Sequence, residues 1–104
     1  MSSIPGRVAI LGSGLIGRAW AIAFARAGWT CALWDPQPDA PAQALAEVDR
    51  LLGDLAEGGL LRGQRPAEVR GRMEVVGSLA EALRDAAWAQ ESSPERIEVK
   101  LDLW

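Results

Sequence analysis

Four residues carry the strongest chemical signal: Gly12, Gly14 and Gly17, spaced Gly-x-Gly-x-x-Gly, and Asp35, 18 positions after the last of them. A glycine triplet of that spacing between a strand and a helix brings backbone N–H groups close to a pyrophosphate. An acid about 20 residues further on accepts hydrogen bonds from ribose hydroxyls. The chemistry implied is the grip of a dinucleotide. Gly12 suits a tight turn, Gly14 leaves phosphates unobstructed, and Gly17 lets the helix lie close against the sheet. N–H groups around Gly14, Leu15 and Ile16 would then face the phosphates, with the positive end of the helix dipole behind them. A carboxylate at Asp35 accepts from a 2′-OH and repels a 2′-phosphate, which favours NAD over NADP. A plain strand–turn–helix and an FAD site share the glycine pattern and stay open as alternatives.

These residues need a βαβ unit to hold them, and the flanking sequence supplies one. Arg7-Val8-Ala9-Ile10-Leu11 reads as an apolar strand, and a helix follows the glycine turn to about Ala27, stopped by Gly28. Thr30-Cys31-Ala32-Leu33-Trp34 reads as the second strand, with Asp35 at its tip. Ile16, Trp20, Ala23, Phe24 and Ala27 fall on one helical face, expected to be the buried one, with Trp20 as core filling and slim alanines (Ala19, Ala21, Ala25) elsewhere.

Beyond Asp35 the pattern continues. A Pro36-Gln37-Pro38 turn leads to a long helix from Ala40 to Glu57, with Leu45, Val48, Leu52 and Leu55 as its buried stripe, ended by Gly58-Gly59. A short helix over Pro66 to Arg72 and a third strand over Met73-Glu74-Val75-Val76 follow. Ser78 and Glu81 form a capping-box pair for a helix reaching about Asp85. A fourth strand is expected over Ala86 to Gln90, and a last helix from Pro94 to Trp104. Alternating strands and helices give an α/β fold, a doubly wound parallel Rossmann-type sheet in the order 3-2-1-4. The full dinucleotide fold has six strands. Residues 1–104 are therefore expected to be one incomplete NAD-binding domain, cut short before its second half.

The chain contains no histidine and no tyrosine, two of the commonest proton-transfer side chains. No catalytic residue and no metal site are expected within it. With 104 residues and 49% hydrophobic composition it is one domain at most, with enough apolar residues for a core. A net charge of −3 argues against nucleic acid as the main partner. No stretch approaches a membrane span, and the uncharged start Met1 to Gly6 is not a signal peptide, so a cytoplasmic protein is expected. The lone Cys31 reads as a small buried apolar residue. Arg62, Arg65, Arg70 and Arg72 read as a solvated basic run.

Two separated motifs then carry a family resemblance. The run from Val8 through Gly12-Ser13-Gly14-Leu15-Ile16-Gly17-Arg18-Ala19-Trp20 to Ala21, with Leu33-Trp34-Asp35, and the run Gln90-Glu91-Ser92-Ser93-Pro94-Glu95 resemble the N-terminal NAD domain of the 3-hydroxyacyl-CoA dehydrogenase family. They look nearest to its L-gulonate 3-dehydrogenase (lambda-crystallin) and carnitine 3-dehydrogenase branches. The resemblance covers about Arg7 to Trp104. It implies NAD contacts at Leu15, Ile16 and Asp35, and two more at Glu95 and Lys100, which spacing alone would leave as a surface pair. It also implies a catalytic histidine, its partner glutamate and a substrate-binding serine and asparagine beyond Trp104. CoA-specific members carry a serine and lysines on the long helix, whereas the matching stretch here reads Leu51-Leu52-Gly53-Asp54-Leu55-Ala56-Glu57-Gly58. That tilts the substrate from an acyl-CoA towards a small 3-hydroxy acid.

The resulting expectation is the NAD-binding part of a 3-hydroxyacyl-CoA or 3-hydroxy-acid dehydrogenase, inactive as these 104 residues alone. The rival is a stand-alone nucleotide-binding or interaction module. A fourth strand of Ala86 to Gln90 carries no charge and no proline to blunt its edge, so a homo-oligomer or a continuation past Trp104 is expected.

Overall fold

The structure, a computed structural model, describes residues 6–91. The expected last helix, and with it Glu95 and Lys100, lies outside the described residues. Eight elements follow in order: β1 (Arg7–Leu11), α1 (Leu15–Arg26), β2 (Thr30–Trp34), α2 (Ala40–Glu57), α3 (Pro66–Arg70), β3 (Met73–Val75), α4 (Leu79–Leu83) and β4 (Trp88–Glu91). The four strands form one parallel sheet in the expected order β3-β2-β1-β4.

Alternation along β1 and β2 divides the core between the two faces of the sheet. Val8, Ile10, Cys31 and Leu33 face α1 and α2, packing with Ala21, Ala25, Leu45, Val48 and Leu52. Ala9, Leu11 and Ala32 face the other way, against Val76 and Ala82. Leu45, Val48 and Leu52 are the buried stripe of α2 as the period suggests, with Leu55 partly buried beside them. Ser78 caps α4, its hydroxyl accepting the Glu81 N–H at 3.1 Å.

The buried face of α1 is rotated by about one residue from the expected one, and of the expected bulky residues only Phe24 packs partly buried against the core. Gly17, Ala21 and Ala25, one turn apart, lie against the sheet, whereas Ile16 and Trp20 are 54% and 40% exposed. The reason is distance: α1 starts so close to the turn that only residues without bulk fit beneath it. Trp20 is a half-exposed ring tilted over Phe24 at a centroid distance of 5.8 Å, and Phe24 in turn meets Trp29 edge-on at 5.3 Å.

Strand four is displaced as well. Arg84 leaves the helical region (φ −63°, ψ 125°), which ends α4 at Leu83, and Asp85 takes a positive φ of 59° that turns the chain. The Ala86 N–H is bonded back to Leu83, and the Ala87 N–H reaches the Arg7 carbonyl at 2.8 Å. The strand therefore runs Trp88–Glu91 with Leu11 opposite Glu91, and it includes a buried acid. The strand thus begins two residues later and ends one residue later than the expected Ala86 to Gln90, which brings Glu91 into it.

The basic run is only partly a solvated surface. Arg72 is half-buried, donating at 2.7 Å to both the Ala25 carbonyl at the end of α1 and Gln64 Oε1. Arg70 pairs with Asp49 at 3.0 Å and Arg65 with Glu68. Cys31 is fully buried as expected, and burial pushes its thiol up to about 12 against a smaller opposing pull from Arg72.

Candidate cofactor site

The glycine turn sits at the carboxyl end of β1, between that strand and the start of α1. Gly12 has φ 103°, a left-handed conformation that side-chain-bearing residues rarely adopt. Its N–H donates to the Trp34 carbonyl at 2.8 Å, tying the turn to the end of β2. Gly17 is required by contact. A Cβ there would stand 2.0 Å from the Gly12 carbonyl oxygen, so the close approach is to the turn itself, with Ile10 of the sheet further off. Gly14, by contrast, would place a Cβ in open space.

Gly14 is the N-cap of α1, and no side chain caps the helix. The first intrahelical bond runs from the Arg18 N–H to the Gly14 carbonyl at 3.0 Å, leaving the N–H groups of Leu15, Ile16 and Gly17 as the unpaired helix start. Leu15 and Ile16 are exposed there. An anion is favoured at such an end by both the free donors and the dipole.

Asp35 follows directly on β2, beside the turn. Its Oδ2 accepts the Ser13 N–H at 2.8 Å and the Ser13 hydroxyl at 3.0 Å. Its Oδ1 accepts the Gln37 N–H at 2.8 Å. Next to it opens a hollow of about 290 Å³ lined by Trp34, Pro36, Pro38, Pro41, Val75 and Val76, with Gly77 and Asp35 at its edge. The arrangement can thus offer three things side by side: amide donors for phosphate, a fixed acceptor for a sugar hydroxyl, and an apolar shelf for a flat ring. The open space at Gly14 is where a phosphate group would need it. The residues present fit a dinucleotide.

Gly12, Gly14, Leu15, Ile16, Gly17 and Asp35 are brought together by the fold. Glu95 and Lys100 lie outside the described residues. Sequence reasoning missed Ser13, Gln37 and the proline-lined hollow. A small hydroxyl residue inside the glycine triplet is the one signal for Ser13, and the Pro36-Gln37-Pro38 run after the acid is the signal for the shelf. A second hollow, between α1 and α2 and lined by Leu15, Ile22, Leu51 and Leu55 among others, is mostly apolar and contains neither Asp35 nor the turn glycines.

The sequence pattern of the family described as "3-hydroxyacyl-CoA dehydrogenase, NAD binding domain" matches residues 7–104. The chain belongs to this family. Its cofactor is therefore NAD, in agreement with an acid at the tip of β2. Among family relatives, the chain is 41% identical to an L-carnitine dehydrogenase of Nocardiopsis dassonvillei over 92% of its own length and 28% of that protein's. It is 39% identical to the lambda-crystallin homolog of Bos taurus over 99% of its length and 32% of that protein's. A crystal structure of 3-hydroxybutyryl-CoA dehydrogenase from Escherichia coli superposes with a TM-score of 0.81 at 28% identity, covering 97% of this chain and 21% of that one. The chain spans about a third or less of the length of the relatives it matches.

Proposed function

We propose that residues 1–104 form the NAD-holding domain of a dehydrogenase that oxidises the C3 hydroxyl of a small 3-hydroxy acid. NAD, when bound, supplies the hydride acceptor. The residues of this chain bind and orient it. The turn of Gly12, Gly14 and Gly17 admits the pyrophosphate to the N–H groups of Leu15 and Ile16, and Asp35 accepts a hydroxyl of the adenosine ribose. A proton acceptor for the substrate hydroxyl belongs to another part of the protein, since the chain has neither histidine nor tyrosine.

The observation that carries this reading is the carboxylate of Asp35, fixed beside the glycine turn by the Ser13 N–H at 2.8 Å. A small acid in place of a CoA thioester is supported by the outer face of α2. There Arg50 is paired with Glu47 and Asp54, and the lysines expected of a CoA-binding helix are absent from Leu51 to Gly58. The similarity to an L-carnitine dehydrogenase points the same way.

Titration of the chain with NADH and NADPH tests the cofactor site. NADH is expected to bind in clear preference. Asp35→Ser should weaken NADH by about tenfold, the worth of one charge-assisted hydrogen bond, and narrow the gap to NADPH. Equal binding of both dinucleotides by the unmutated chain would overturn the assignment of Asp35.

A further inference from the structure

Ser13 occupies one of the variable positions of the glycine pattern, yet it is only 2% exposed and spends both of its donors on one atom. An ionised carboxylate offers about four acceptor positions. At Asp35, two on Oδ2 are filled by Ser13 and one on Oδ1 by the Gln37 N–H. What remains is a single position on Oδ1, the oxygen turned away from the glycine turn. The side chain of Ser13 is too deeply buried to reach a ligand itself. Whatever it does to binding, it does through Asp35.

We infer that Ser13 is a positioning residue that sets cofactor selectivity, by locking Oδ2 of Asp35 against the turn so that Oδ1 is presented to the ribose. The inference rests on the reading of Asp35 as the ribose-binding acid. Without the hydroxyl the carboxylate keeps one N–H on each oxygen, Ser13 on Oδ2 and Gln37 on Oδ1. The hydroxyl, a second donor to Oδ2, tightens the hold on the side nearest the turn. A less firmly held carboxylate is a poorer acceptor for a hydroxyl, because its orientation must be fixed on binding. It is also a weaker barrier to a 2′-phosphate, because it yields more easily. Loss of the hydroxyl should therefore act in opposite directions on the two dinucleotides. The Ser13 carbonyl, held by Arg18 Nε at 3.3 Å, keeps the backbone of the turn in place when the side chain is removed.

The test is a double-mutant cycle on the 104-residue chain, read as dissociation constants for NADH and NADPH, with urea unfolding as a control. Ser13→Ala and Ser13→Gly both delete the hydroxyl and keep the N–H; the second is safe in a turn already built of glycine. Either is expected to weaken NADH about three- to tenfold, a fraction of a charge-assisted hydrogen bond, while NADPH is unchanged or improved. In the Asp35→Ser background the same substitutions should leave NADH affinity unchanged. Ser13→Thr, which restores a hydroxyl, should restore the preference. If Asp35→Ser weakens NADH but both Ser13 variants keep the native NADH-to-NADPH ratio, the role given to Ser13 is wrong and the cofactor site stands. If the Ser13 variants weaken both dinucleotides equally in both backgrounds, Ser13 only shapes the turn, and the inference is again overturned. If Asp35→Ser itself changes nothing, it is the reading of the site that fails.

Discussion

Two alanine substitutions three residues apart, at Gly14 and Gly17, separate the turn's role in folding from its role in binding. At Gly17 a Cβ would lie 2.0 Å from the Gly12 carbonyl oxygen and 3.0 Å from its carbon. Both neighbours are backbone, so no side chain can swing aside. The turn cannot yield freely either, because the Gly12 N–H is bonded to Trp34 at 2.8 Å. The start of α1 must retreat by at least about 1 Å to reach the shortest tolerable contact. Forcing a methyl into a closed site costs about 1–3 kcal/mol and sometimes more, and the gain in helix propensity from alanine returns at most about 1 kcal/mol. A net loss of about 2 kcal/mol is expected for Gly17→Ala, with NADH binding impaired along with it. Gly14→Ala differs in kind: the new Cβ meets nothing within 4 Å, and the backbone at φ −71°, ψ −163° is open to alanine. Stability should hold within about 0.5 kcal/mol, while NADH affinity falls at least about tenfold as the methyl takes the space of the phosphates. Urea unfolding and NADH titration followed by tryptophan emission (Trp34 lines the neighbouring hollow) report the two quantities on the same samples. A Gly17→Ala chain as stable as the parent, or a Gly14→Ala chain that binds NADH normally, would refute the argument for that position.

Other tests bear on the scaffold. Cys31, fully buried with its thiol pushed up to about 12, should resist iodoacetamide at pH 8 until urea opens the fold. Because the folded value lies above the unfolded one, its contribution to stability is complete below about pH 9 and is lost as the pH rises towards 12. Replacing Cys31 with alanine should flatten that part of a stability–pH profile, and an unchanged slope would show that burial does not control it. Arg72→Ala removes two 2.7 Å bonds, to the Ala25 carbonyl and Gln64 Oε1, and should lower stability by about 1–3 kcal/mol with NADH affinity untouched. A shift in affinity instead would place Arg72 in the cofactor site.

Much of this site is legible in the amino-acid sequence. The triplet, the apolar strands either side and the terminal acid define a βαβ unit by type and spacing alone, and the sheet order follows from alternating strands and helices. Three features were not legible, two of them because they depend on distances across the fold. The helical period of α1 admits two apolar faces, one bulky and one of alanines, and hydrophobicity favours the bulky one. The contact between Gly17 and the Gly12 carbonyl decides for the other. Strand four was placed only to within two residues because its start is set by the positive φ of Asp85, a conformation that sequence assigns to glycine or asparagine first. Ser13 escaped notice because the glycine pattern makes no demand at that position. Its value lies in a partner 22 residues away.

The same contacts couple helix packing to the position of Asp35. Gly17 seats α1 on the Gly12 carbonyl, Gly12 is tied to the end of β2 through Trp34, and Ser13 between them grips Asp35. No part of this chain of contacts can move alone. A bulkier residue beneath α1, at Ala21 or Ala25, would lift the helix from the sheet, carry the turn with it and loosen the hold on the carboxylate. Ala21 and Ala25 are therefore part of the scaffold that positions Asp35, although neither belongs to the turn. Leu15 and Ile16 stand outside this constraint. They are exposed and, in the proposed site, would act through their N–H groups, so substitution of their side chains is expected to leave the hold on Asp35 intact.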